Sequence, residues 1–130
     1  MNTKIDSPII DIHQEVHELV AHYSNPAAFK ELMPDEVVKF EANAQSFIFG
    51  LKGMPEVKLV VDEISEEQVM LKSASDKIPF YLRVKFAAVG DVTKAQIHFE
   101  GDFNPMLKMM VTRPLKSFVE HLAQNMQKIH

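Results

Sequence analysis

The stretch from Asn104 to His130 constrains the fold most, because no other part of the chain can form an element long enough to lie across a whole sheet. Asn104 suits an N-cap, and Pro105 follows at the first helical position, where a missing N–H is harmless. After Pro114 the pattern is amphipathic: Leu115, Phe118, Val119, Leu122, Met126 and Ile129 recur at three- and four-residue steps, between Lys116, Glu120, Gln124 and Lys128. About 26 residues at 1.5 Å each give a rod of roughly 39 Å. Before Pro114 the pattern differs. Met106, Leu107, Met109, Met110 and Val111 are apolar nearly all round, which points to a turn covered on several sides or bordering a cavity. Pro114 itself predicts a kink or break between Val111 and Arg113.

Upstream, residues 3–11 alternate loosely around Ile5, Ile9 and Ile10, and Pro8 restricts them to an edge-type strand or a bulge. Residues 13–23 place Val16, Leu19, Val20 and Tyr23 on one helical face. Asn25 and Pro26 start a second short helix with Phe29, Leu32 and Met33 inward, and Pro34 ends it. From Val37 to Phe103 the period becomes two. Six strands are expected, around 37–42, 47–51, 59–64, 69–73, 80–86 and 97–103, with turns at 50–55, 65–68, 75–77 and 90–91. Each has one apolar and one polar face, the pattern of an antiparallel sheet wet on one side. Something must cover the apolar face, and only the C-terminal helix is long enough.

A chain of 130 residues, 46% apolar, is expected to form one domain over 1–130 with a core that needs no staple. It has no cysteine, which removes disulfides and thiolate metal sites from consideration. No apolar run reaches membrane-spanning length and the N-terminus has no signal core, so a cytoplasmic location is expected. The net charge of −4 is uneven: residues 1–67 carry 5 basic and 13 acidic side chains, residues 68–130 carry 9 and 5. The expected meaning is complementary halves packing together, with a basic docking patch as the alternative. The cations are spread over two strands and a helix rather than gathered on one face, so a nucleic-acid partner is not expected.

The order of elements, with Phe103-Asn104-Pro105-Met106-Leu107-Lys108-Met109-Met110, Pro114-Leu115 and Phe118, resembles the START-like or SRPBCC superfamily, which includes the birch-pollen allergen group and polyketide cyclase-like proteins. Phe29-Lys30-Glu31-Leu32-Met33-Pro34 carries a weaker likeness. The resemblance covers essentially the whole chain. It implies an α+β helix-grip fold: a seven-stranded curved antiparallel sheet, two short helices between strands one and two, and the long C-terminal helix over the concave face. It also implies a cavity between helix and sheet that binds apolar ligands in many relatives. The superfamily holds carriers, receptors and enzymes, so fold alone does not give function.

No catalytic motif is present: there is no nucleophile elbow, Walker loop or dinucleotide fingerprint, and no cofactor is expected. His13 and His17 have the four-residue spacing of two metal ligands, but they lack the zincin order and a third partner, so no metal is assigned to them. His22, His98 and His121 fall on faces that read as polar and are expected at the surface. Arg83, Lys85, His98, Glu100 and Asp102 are expected outward, leaving the inward side almost without ionisable groups; Asp35 or Lys77 could reach a mouth from loops. The expected ligand wall is Phe40, Phe47, Phe49, Leu71, Leu82, Val84, Phe86, Ile97 and Phe99 from the sheet. Facing it are Met106, Met109, Met110 and Phe118 from the helix, with Met54 in the loop after Leu51 as a further thioether. The leading expectation is a binding or carrier protein for a small apolar or amphipathic ligand. The alternatives are a polyketide cyclase-like enzyme, or an interaction module that docks a protein or a second copy through the face around Met106–Val111.

Overall fold

The structure is a computed structural model that describes residues 2–74 and 79–130. Eight strands form one antiparallel sheet: β1 (Asn2–Asp6), β2 (Ile10–Ile12), β3 (Val37–Ala42), β4 (Ser46–Leu51), β5 (Val57–Ile64), β6 (Gln68–Ser73), β7 (Phe80–Val89) and β8 (Val92–Asp102). The order is β1-β8-β7-β6-β5-β4-β3, with β2 also on β8. Between β2 and β3 lie α1 (Val16–Tyr23) and a 3₁₀ helix (Pro26–Leu32); α2 (Pro105–Ile129) closes the chain. Segments 37–103 fold into the six strands that their alternation predicts. The turn expected at 75–77, with Lys77, lies outside the described residues.

The one difference in strand number has a local cause. Pro8 has no N–H to give the ladder, so the expected single first strand is split into β1 and β2, both paired with β8. Ser7 holds the join. Its N–H donates to the Ile97 carbonyl at 2.8 Å, and its hydroxyl oxygen accepts from the Ile97 N–H at 2.9 Å. The sheet has register shifts at Val37/Lys39 and at Val61/Glu63, and such bulges bend a strand and increase its twist.

The sheet grips α2 through its alternating apolar residues. Phe47, Phe49, Leu59, Leu71, Leu82, Val84, Phe86, Ile97 and Phe99 are all buried on one side. From α2 come Val111, Leu115, Phe118, Val119, Leu122, Ala123 and Met126, all buried; Ile129, read as part of that face, is exposed. The Phe118 ring stacks on Phe49 with centroids 4.9 Å apart and planes 7° apart, a geometry that adds about 0.5–1.5 kcal/mol to the burial itself. Asn104 caps α2 by accepting from the Leu107 N–H at 2.9 Å, and Asn25 caps the 3₁₀ helix from Ala27 at 3.2 Å. Asn125 Nδ2 donates to the Leu32 carbonyl at 2.8 Å, tying α2 to the 3₁₀ helix.

The break expected near Pro114 is absent: α2 runs from Pro105 to Ile129 with Pro114 inside it. Pro114 and Met110 are both exposed, so the carbonyl that loses its partner lies on the solvent side of the helix, within reach of water. Val111 and Leu115 are buried on the opposite side and keep the two segments in one continuous helix. The Thr112 hydroxyl adds a hydrogen bond to the Lys108 carbonyl.

Two lysine–carboxylate pairs join the halves, Asp11 with Lys94 and Asp62 with Lys72, and two histidine contacts, Asp6 with His98 and Glu36 with His121, join them as well. These are partly exposed pairs, worth little individually. They favour the complementary-halves reading over a basic patch.

Two stability predictions follow from the packing. Phe118→Ala is expected to lower the unfolding free energy by about 3–5 kcal/mol in denaturant titration, because it empties the centre of the grip. Gly101→Ala is expected to lower it by about 1–3 kcal/mol. A methyl group there would lie 2.7 Å from Phe103 Cζ and 3.0 Å from Phe80 Cβ, so the aromatic rings must shift.

Candidate functional site

A partly open, almost wholly apolar cavity of about 90 Å³ lies between the sheet and the first half of α2. Phe49, Leu51 and Val57 supply its wall from β4 and β5, and Phe80 and Phe99 supply it from β7 and β8. Phe103 closes one end, and Leu107, Val111 and Leu115 form the helical wall. Met54 and Pro55, in the β4–β5 turn, lie at the rim with Glu56. Glu56 is the one ionisable group on the lining, and its carboxylate pairs with Lys39 Nζ at 3.0 Å. The Phe80–Phe99 and Phe99–Phe103 rings are stacked at 5.1 and 6.1 Å, giving that side a rigid aromatic floor.

Of the expected ligand wall, Phe49 and Phe99 line this cavity. Phe47, Leu71, Leu82, Val84, Phe86, Ile97 and Phe118 are buried in the packed core away from it, and Phe40 is partly buried against Phe47 at 5.3 Å. The helix methionines are a correction. Met106, Met109 and Met110 are 74%, 84% and 67% exposed, on the side of α2 that faces away from the sheet. Leu107 and Val111 take the inward positions instead. The signal was present in the sequence: stepping back from Phe118 by three and then by fours gives Leu115, Val111 and Leu107, continuing the gripping face through Pro114. Reading Pro114 as a break discarded that phase.

The largest cleft, about 1020 Å³, lies elsewhere, between α1 and the β7–β8 turn, with His13, His17, Glu67 and Asp91 on its walls. It is more open and its walls mix polar and apolar groups, so the smaller apolar cavity is the better candidate for holding an apolar molecule. The His13/His17 spacing has no helical meaning here, because α1 begins at Val16. His17 instead contacts Glu15 at 3.2 Å, with both exposed.

The other end of α2 carries a polar cluster that the sequence reading left as surface histidine. Glu31 Oε1 accepts from His22 Nε2 at 2.6 Å and from the Tyr23 hydroxyl at 3.1 Å. The Tyr23 oxygen also lies 2.7 Å from His130 Nε2, and His130 Nδ1 lies 2.7 Å from Gln14 Oε1. Burial, and then the neighbouring Glu31 carboxylate, push the Tyr23 phenol well above its ordinary range, so it stays protonated. Glu31 is raised by desolvation, but the hydrogen bonds from His22 and Tyr23 outweigh this and hold it below the usual carboxylate range.

No family model matches the chain, and no curated protein matches it. Solved structures do. A norcoclaurine synthase point mutant from Thalictrum flavum, in complex with a transition-state analogue, superposes with a TM-score of 0.71 at 14% identity, over 99% of this chain and 94% of that one. A START superfamily protein from Mycobacterium smegmatis gives 0.66 at 15%, over 96% and 94%. Major latex-like protein 151 from Panax ginseng gives 0.67 at 10%, over 99% and 97%. These likenesses span whole chains at low identity, and with the curved antiparallel sheet closed by one long helix they establish that the chain has the START-like helix-grip fold.

Proposed function

We propose that the protein binds and carries a small apolar or amphipathic molecule in the cavity between the sheet and the first half of α2. The observation that carries this reading is the partly open apolar pocket between Phe49, Phe99, Leu107 and Val111, with Glu56 as its single carboxylate. An apolar body would lie against the Phe80–Phe99–Phe103 floor, and a polar end would meet Glu56 and Lys39. Burial of about 300 Å² of ligand surface contributes roughly 7 kcal/mol before the costs of association.

The volume limits how binding occurs. Ordinary ligand pockets measure about 300–1,000 Å³. A cavity of about 90 Å³ holds less than a benzene-sized void, so a larger guest must displace part of the wall. Met54 and Leu107 are the parts suited to move, because both are only partly buried. A thioether also adapts its shape readily.

The norcoclaurine synthase likeness keeps a polyketide cyclase-like or other enzymatic reading in view. Acid–base catalysis needs a proton-transfer group within hydrogen-bond reach of the substrate. Among the described lining residues only Glu56 is ionisable, and it is already paired with Lys39. The binding reading therefore stands ahead. One observation favours a second reading: the exposed methionine turn of α2 would dock a second copy of the chain, each copy covering the other's Met106, Met109 and Met110. Sedimentation across a range of concentrations tests it, and a dimer lost in Met109→Glu supports it.

A fluorescent apolar probe, displaced by fatty or aromatic competitors, tests the carrier reading. Leu107→Glu is expected to weaken probe binding at least about tenfold in a protein that remains folded, since it places a charge on the cavity wall. Met109→Glu, on the outer side of the same helix, is expected to leave binding unchanged. If no apolar probe binds the wild-type protein, or if both variants bind alike, the carrier reading fails.

A further inference from the structure

The geometry points to a divalent transition-metal site, of the kind zinc occupies, formed by His22 Nε2, Glu31 Oε1 and His130 Nε2. These three atoms lie within 4.8 Å of one another and come from three separate elements, the end of α1, the 3₁₀ helix and the residue that caps α2. Two neutral imidazoles and a carboxylate are a donor set that zinc accepts, with bonds of about 2.0–2.2 Å. Ligand atoms arranged tetrahedrally at that distance stand roughly 3.4 Å apart. The metal-free contacts fall on either side of this value: His22 Nε2 to Glu31 Oε1 is 2.6 Å and His130 Nε2 to Glu31 Oε1 is 3.5 Å. A cation would open the first contact by less than an ångström and leave the second nearly as it is.

The surroundings suit a ligand set better than an incidental surface pair. Metal-bound histidines commonly donate their second ring N–H to a carbonyl or carboxylate, which fixes the tautomer and aims the other nitrogen's lone pair. His130 has that arrangement on one nitrogen: its Nδ1 faces Gln14 Oε1 at 2.7 Å, while its Nε2 lies 2.7 Å from the Tyr23 oxygen, a contact that metal binding would replace. Tyr23 is fully buried and packs against Phe29 at 5.3 Å and His130 at 5.6 Å, so the imidazole leans on a fixed ring. The Tyr23 hydroxyl also donates to Glu31, orienting the carboxylate from behind. On binding, His22 moves its ring proton from Nε2 to Nδ1, and its Nε2 lone pair takes the metal in place of the hydrogen bond to Glu31. The side chains are 42%, 34% and 10% exposed for His22, Glu31 and His130, which gives an entry path and leaves a fourth position open to water or an anion.

The test titrates the apo protein with Zn²⁺ in a calorimeter and with Co²⁺ in a spectrophotometer. The expected result is one equivalent of Zn²⁺ bound, with the strong visible bands of four-coordinate Co²⁺. His22→Gln keeps a hydrogen-bonding group at a half-exposed position; it is expected to stay folded by circular dichroism and to lose binding by at least about tenfold. Gln14→Leu leaves all three ligands in place and is expected to weaken binding by about tenfold through the loss of orientation. His17→Ala removes the centre of the exposed Glu15–His17–Glu18 group and is expected to change nothing. Absence of Zn²⁺ binding in the wild-type protein, unchanged binding in folded His22→Gln, or loss of binding in His17→Ala would each overturn the assignment.

Discussion

A sheet with one apolar face, covered along its length by one long helix and at one end by α1 and the 3₁₀ helix, is the constraint on which the structure depends. In a two-sheet sandwich the burial is shared by many strands; here α2 covers the concave face with little more than one row of side chains. Each inward residue of α2 therefore holds a large share of the core. The Phe118–Phe49 stack stands near the middle of that row, with Leu115, Val111 and Leu107 to one side and Leu122 and Met126 to the other. Bulged strands curve the sheet around the helix, and the caps at Asn104 and Asn25 set where the covering elements begin.

A single helix cannot follow a curved sheet equally well along its length. At the start of α2 the fit is loose, and the gap is the apolar cavity floored by Phe80, Phe99 and Phe103. At the other end the fit is completed by different elements. The 3₁₀ helix and α1 pack there through Phe29, Leu32 and Tyr23, and the polar groups that remain are gathered around Glu31. One helix thus has an apolar gap at one end and a hydrogen-bonded cluster at the other, and the two candidate sites are separated by the tightest part of the grip.

How much of this was legible in the sequence depended on the range of the signal. Strand alternation is local and strong, so segments 37–103 resolved into six strands, and the inward strand residues are buried apart from Phe40, which is only partly so. Both asparagine caps were legible for the same reason. The misreadings arose where a local rule met tertiary packing. Pro114 carries a real penalty, yet the buried Val111 and Leu115 on either side keep the helix whole. An apolar turn says nothing about which of its sides meets the sheet, so Met106, Met109 and Met110 were placed inward when they face solvent. The cavity wall was missed in part because burial and lining are different properties: alternation marks both, and only geometry separates Phe99 from Ile97. The Tyr23–His130 contact spans 107 positions, and no spacing rule reaches that far.

The exposed methionines also bear on how the cavity would work. Leu107 and Val111 line its inner wall while Met106, Met109 and Met110 cover the outer side of the same turn. This first part of α2 has solvent on one side and a gap on the other, so fewer contacts hold it than hold the part around Leu122. Regions with few buried apolar contacts open at lower free energy than the core. The turn from Asn104 to Val111 can therefore lift away from the sheet at less cost than the rest of the helix, pivoting where Pro114 has already removed one hydrogen bond. A motion there widens the cavity without disturbing the Phe118–Phe49 stack. Under the proposed carrier reading, the proline that fails to break the helix would lower the stiffness of α2 at the boundary between the segment that grips and the segment that borders the cavity.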